Sequence, residues 1–279
     1  MTQALAIPAS STPTVRLCRL IGIDDLTTPD PTEDYHEASR LYPGVIDPLV
    51  RGTAQLERSA EMRASVVRAV KRHVQLPFEP LPAPFLAGAT LAETLRTRRS
   101  RRRFADAPIL LASLGTVLHA GYGVSGTVAG TEQSLRAAPS GGALFPLELY
   151  VVCQRVDELE AALYHYDPLR HGLERLRPLR RIDETEDLTP YPEVVTPCAA
   201  VVVISAMFWR SRFKYGDRAY RFTLLEAGHV GQNMLLAAEA LGLAAVPLGG
   251  FFDRRADAFL GVDGLDEAAI YLFAIGAPG

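Results

Sequence analysis

The twelve-residue run CAAVVVISAMFW, Cys198 to Trp209, limits what this chain can become more than any other stretch. Apolar surface of that density is driven out of water and has to be covered. A bilayer crossing takes about 20 apolar residues, so the run is too short to be a membrane span. It reads as a buried strand. Helix-like and strand-like segments are mixed along the rest of the chain, which points to an α+β core. With 279 residues and 48% hydrophobic content, one large domain carrying an N-terminal extension accounts for the length. Cys18, Cys153 and Cys198 lack metal-ligand spacing, and the last two sit in apolar runs, as buried thiols do. No basic segment followed by an apolar stretch opens the chain. A cytoplasmic setting is therefore expected, with no membrane partner.

Residues 1–85 read as the extension and 86–279 as the main domain. Within the extension, Leu56, Ala60, Val66, Val67 and Val70 recur at helical spacing and predict a helix over 53–74. The proline-rich QLPFEPLPAPF, Gln75 to Phe85, predicts an extended linker. Helices are expected at 91–97, 111–122 and 217–241, with strands at 147–152 and 269–275. A hairpin is expected from 163–166 and 173–176 around the DPLRHG turn.

Three short segments share one chemical character. In PSGGALFP, Pro139 to Pro146, small residues leave backbone N–H groups uncovered, and the strand LELYVV follows at once. The segment RRSRRRF, Arg98 to Phe104, places five arginines in seven positions. Their planar forks suit a phosphate group. A nucleic-acid surface is not expected, because the formal net charge is -3 and the basic run does not extend into a stripe. In VPLGGFFD, Val246 to Asp253, paired glycines follow a short apolar strand and expose more backbone.

The order RRSxRRF, PSGGALFPLELYVV, HVGQNMLLAAEALGLAAVPLGGF and IYLFAIG resembles the FMN-dependent nitroreductase superfamily. Within it, the pattern is most similar to the SagB/McbC-type dehydrogenases, which oxidise azoline rings in peptide natural products. The likeness runs from about Leu91 to Gly276, and DPTEDYHEASRLY, Asp30 to Tyr42, resembles the lead-in of SagB-type chains. It implies a nitroreductase-like fold, with a mostly antiparallel central sheet flanked by helices in an intertwined homodimer. It also implies FMN as cofactor, an azoline-containing peptide as substrate and a cyclodehydratase complex as a possible partner. Arg98 and Ser100 match phosphate-holding positions, with Arg99 assisting, and Arg102 matches the residue facing the flavin's pyrimidine edge. Ser140 and Gly142 match a loop supplied by the other subunit. Gly249 and Gly250 match the backbone near the hydride-accepting nitrogen. Phe145 stands where a tyrosine is usual. The C-terminal arginine of many relatives is missing at Gly279, which leaves Arg254 or Arg255 as replacements.

Of 29 basic residues, Lys71 and Lys214 alone are lysines. Lys71 reads as a solvated charge on the extension helix. Lys214 adjoins Tyr215, and the resemblance implies that this Lys-Tyr pair is catalytic. Azoline oxidation removes a proton and a hydride from neighbouring ring carbons, so a base must work near neutrality although free lysine and tyrosine titrate at about 10. Arg210, Arg212 and Arg218 lie nearby in sequence and would lower either group's proton affinity. The sequence leaves open whether Lys214 or Tyr215 is the base. His229 and Gln232 are weaker substrate-pocket candidates, beside Gly228 and Gly231. The other histidines, His36, His73, His119, His165 and His171, show no ligand spacing, and no metal site is expected. Two alternatives stand beside azoline oxidation: an NAD(P)H-dependent nitroreductase-like enzyme, or a flavin-bearing scaffold subunit of a peptide-modifying complex.

Overall fold

The computed structural model describes residues 31–41, 47–67, 70–85 and 88–279. Cys18 lies outside them. The chain divides after Leu41 into two compact units. The first holds an exposed helix, α1 (Pro31–Ala38). The second contains everything that follows.

The second unit is built on one seven-stranded sheet. Its strands are β1 (Phe78–Pro80), β4 (Leu147–Cys153), β5 (Ala162–Asp167), β6 (Gly172–Pro178), β7 (Ala200–Met207), β8 (Ala244–Leu248) and β9 (Glu267–Gly276). They run in the order β1-β6-β5-β4-β7-β9-β8, and every neighbouring pair is antiparallel. A separate two-stranded ribbon joins β2 (Val124–Thr127) to β3 (Ser134–Arg136). The apolar run that dominates the sequence is β7, near the middle of the sheet and buried along nearly its whole length. Side chains alternate across a strand, so a run that is apolar at every position needs cover on both faces.

Two apolar layers supply that cover. On one face, α5 (Leu111–Tyr122) and the long α8 (Arg218–Ala240) pack against Leu147, Leu149, Val151, Val202 and Phe273. On the other, α6 (Pro192–Val195) and α9 (Asp253–Leu260) pack against Val152, Leu163, Val201 and Val203. Gly231 lets α8 lie close to the sheet: a β-carbon there would stand 2.4 Å from the Phe273 ring. Cys153 and Cys198 are buried free thiols. Among the described residues, no helix is long and apolar enough to cross a membrane.

The extension departs from the expected single helix. It forms α2 (Asp47–Arg58) and α3 (Ala60–Val67). Ser59 separates them, its hydroxyl accepting the Met62 N–H at 3.1 Å as an N-cap. From Val70 the chain is not helical, because its polar groups find partners on the sheet. Lys71 is accordingly no solvated charge. Its ammonium donates to the Tyr150 hydroxyl and to Glu267 Oε2, both at 2.8 Å, and its N–H donates to Glu148 Oε1 at 2.9 Å. The proline-rich stretch also joins the core, since Phe78–Pro80 is the edge strand β1 paired with β6. Gly231→Val is expected to cost about 1–3 kcal/mol by overpacking, measured by urea denaturation. An unchanged midpoint would show that α8 can move off the sheet freely.

Candidate active site

The helix α7 (Trp209–Tyr215) leaves the end of β7 and carries Lys214 and Tyr215 in its last turn. Both are half-buried. The ammonium lies 5.2 Å from the centre of the Tyr215 ring, and that ring packs edge-on against Phe222 at 5.0 Å. The Pro139–Pro146 bend comes down onto the pair. Gly142 adopts φ 65°, and a β-carbon there would stand 2.5 Å from the Tyr215 hydroxyl oxygen and 2.8 Å from Lys214 Nζ. Glycine is needed for both the backbone angle and the space. Ala143 and Phe145 also have positive φ, so this bend concentrates unusual backbone geometry next to the pair.

The bend is held from below by Glu226, a residue the sequence reading passed over. Phe145 N–H donates to Ser140 Oγ at 2.9 Å, and the Ser140 hydroxyl is bonded to the Glu226 carboxyl. Tyr122 donates to Glu226 Oε1 at 2.8 Å and accepts the Leu147 N–H at 3.2 Å. The Arg136 guanidinium lies 4.0 Å from the Tyr122 ring centre and 4.6 Å from that of Phe145. Burial raises the Glu226 carboxyl to about 7, against the opposing pull of Ser140, Tyr122 and Arg136. A cavity of about 270 Å³ opens here, lined by Ser140, Gly141, Phe222, Glu226 and His229 among others. A sequence signal existed: an acidic residue inside the otherwise apolar face of a long helix.

Arg210 does not surround Lys214 with charge as its position in sequence suggested. Its guanidinium turns to the sheet, 2.6 Å from Glu148 Oε1, and donates to the Phe145 carbonyl at 3.3 Å. Arg212 lies over Trp209 and 3.8 Å from Asp217. Arg218 lies 5.8 Å from the Phe222 ring centre. Glu148 also receives His165 Nε2 at 2.8 Å, while His165 Nδ1 meets Glu174 at 3.0 Å. Burial alone would raise the Glu148 carboxyl, but Arg210 and His165 hold it down at about 2. Burial likewise opposes the His165 cation, yet its two carboxylates raise it to about 9. His73, His165 and Glu174 place donor atoms within 4.8 Å of one another, but both nitrogens of His165 are already bonded to carboxylates.

The other expected residues fall elsewhere. Arg98 caps the C-terminus of α4 (Leu91–Thr97). Arg99 bends back onto the carbonyls of Arg96 and Arg98. Arg101 is paired with Glu239 at 3.2 Å, and its N–H donates to Ala245 at the start of β8. Of the five arginines, Arg101 is paired with a carboxylate and Arg99 is turned onto main-chain carbonyls; among the described residues Arg98, Arg99, Arg102 and Arg103 have no carboxylate partner. Gly249 and Gly250 follow the far end of β8. Gly249 faces open space, whereas Gly250 lies under Tyr191. His229 and Gln232 are both exposed, and of the two only His229 lines the cavity beside Ser140. Gly228 faces open space. Arg255 donates to the Asp187 carbonyl at 3.4 Å.

Residues 95–277 match the Nitroreductase family. The chain belongs to that family. It is 34% identical over 173 residues to MJ1384 of Methanocaldococcus jannaschii, a protein carrying a nitroreductase name; the match covers 62% of this chain and 84% of that one. It is 30% identical over 150 residues to the trifolitoxin-processing protein TfxB of Rhizobium leguminosarum bv. trifolii, covering 52% and 40%. With the microcin B17-processing protein McbC of Escherichia coli it shares 31% identity over 123 residues, covering 42% and 45%. The chain thus spans less than half the length of these two peptide-processing relatives. The same fold is found in the Escherichia coli microcin synthetase McbBCD complex with truncated pro-MccB17 bound (TM-score 0.55, 20% identity, 88% and 86% covered).

Glu226 binds its proton more tightly in the folded state, so its contribution to stability is complete below about 4.5 and is lost as pH rises through about 7. Glu226→Gln is expected to remove that slope. Denaturant titrations of both proteins from pH 4 to 8 would read it, and parallel curves would contradict it.

Proposed function

We propose that the protein is an FMN-dependent dehydrogenase that oxidises thiazoline or oxazoline rings to azoles in a peptide natural product. The observation that carries the reading is the closure of Gly142 onto the Lys214 ammonium and the Tyr215 hydroxyl. The likeness to TfxB and McbC supports a peptide substrate. The residues suit the cofactor. Among the described residues Arg98 and Arg102 have no carboxylate partner, Ser100 lies between them, and Gly249 offers backbone in open space. Arg98, Ser100 and Arg102 would hold the phosphate and pyrimidine ends, with Arg99 beside them, and Ser140, Gly142, Gly249 and Gly250 would line the ring. When bound, FMN supplies the acceptor for the hydride leaving the azoline, and oxygen restores it.

The chain's own contribution is the proton. Lys214 or Tyr215 accepts it from the neighbouring ring carbon while the other member of the pair assists. The Pro139–Pro146 bend limits water at the pair, and Glu226 fixes the bend through Ser140. The purified protein is expected to be yellow. Lys214→Ala is expected to keep that colour and lose azoline oxidation by about 100-fold or more, as removal of a general base does. A fully active variant would exclude Lys214 as the base. The likeness to MJ1384 favours a second reading, reduction of small electrophiles by NAD(P)H. Rapid bleaching of the flavin by NADPH would support it over azoline oxidation.

A homodimer completes the proposal. The bend, the arginine run and the glycine pair occupy three places in one chain. Leu91 and Leu95 on α4 and Leu224 and Leu225 on α8 are exposed. Sedimentation equilibrium is expected to give twice the 30.3 kDa chain mass. A monomer that retains flavin would refute the shared site.

A further inference from the structure

The Lys214–Tyr215 helix is gripped at both ends by groups that the proposed chemistry does not use. Its first turn is tied to the sheet through Arg210 and Glu148. Its last turn meets α2 at Gly52, a buried glycine. A β-carbon on Gly52 would stand 2.5 Å from Lys214 Cα, 2.6 Å from the Phe213 carbonyl oxygen and 3.1 Å from the Lys214 carbonyl oxygen. All three are backbone atoms, which cannot rotate aside as a side-chain tip can. The two helices touch main chain to main chain at the residue that carries the ammonium.

The segment following α2 and α3 is fastened independently. Lys71 reaches Tyr150, Glu267 and Glu148, and Arg72 lies 3.5 Å from Asp167. The same oxygen, Glu148 Oε1, therefore accepts the Lys71 N–H on the extension and is ion-paired with Arg210 on α7. Both the extension and the helix it touches are referred to one point on β4. All of these extension residues lie outside the family match at 95–277.

We propose that α2 is a positioning element for the Lys214–Tyr215 pair, acting through the Gly52 contact and held in place by the Lys71 anchor. The inference deepens the proposed dehydrogenase reading and rests on it for the catalytic role of the pair. The contact itself is independent of that reading. α2 sets the distance of the last turn of α7 from the Gly142 bend, and so the reach of the ammonium and hydroxyl into the site.

The test uses the full chain with flavin bound and reads hydrogen exchange by mass spectrometry. Gly52→Ala is expected to speed exchange in the 209–216 peptide by about tenfold while leaving the 200–207 strand unchanged. Unchanged exchange at 209–216 in a folded variant overturns the brace. If Gly52→Ala does not fold, Lys71→Met frees the anchor without adding volume. It should speed exchange at both 47–58 and 209–216, and a response confined to 47–58 likewise overturns the proposal. On an azoline peptide, kcat should fall by about 10- to 100-fold with KM unchanged, as a small misplacement of reacting groups does. Faster exchange with unaltered kcat would refute the positioning role. If the wild type does not oxidise azolines, the dehydrogenase reading fails, and the exchange arm still decides the brace.

Discussion

The Glu148 carboxylate organises the polar half of this molecule. It stands at the start of β4, buried, and is met from three directions: by hydrogen bonds from the Lys71 main chain and the His165 ring, and by an ion pair with the Arg210 guanidinium. Burying a charge is costly unless it is paired and fully hydrogen-bonded. Here the partners come from the extension, from β5 and from the helix that bears the Lys-Tyr pair. Removing any one would leave the others around an incompletely satisfied ion, so the three segments are held in common. Such a network specifies an arrangement more than it adds net stability.

Around that point the sheet face divides. Where β4 and β9 end and β5 and β7 begin it is apolar, with Val152, Leu163, Val201 and Val203 under α6 and α9. Where β4, β6 and β9 begin and β5 and β7 end it is ionic, with Glu174, His165, Tyr150, Ser205 and Glu267 on neighbouring strands. A helix with an apolar stripe could not cover that half. The polar backbone and cations of residues 70–73 can, and this explains why helix stops before them although valines recur there at helical spacing.

The regular core was legible because local pattern and burial agree in it. The helices at 91–97 and 111–122 appear with the expected bounds, the 163–176 hairpin forms, and AVVVISAM, Ala200–Met207, is a central strand within the expected apolar run. The Lys214–Tyr215–Gly142 grouping was legible in its members, since an isolated lysine and a glycine-rich bend carry their own signals. What sequence could not reveal were pairings across long separations. Lys71 and Glu267 are 196 positions apart, and nothing local marks Lys71 as anything but surface. Arg210 looked like a source of positive field near Lys214 because separation along the chain hides direction, and a helix sends that side chain toward the sheet instead. Glu226 shows in the sequence only as an acid on an apolar helix face; its partners Tyr122, 104 positions away, and Ser140 do not.

Both borders of the main sheet are partly blocked against further strands. On one side β1 has three residues and ends in Pro80, which has no N–H to offer. On the other, the Ala245 carbonyl of β8 is already taken by Arg101. An extended segment laid along an open border could otherwise anneal as an extra strand, with affinity supplied by main-chain hydrogen bonds. With those margins blunted, main-chain pairing is disfavoured at both ends of the sheet.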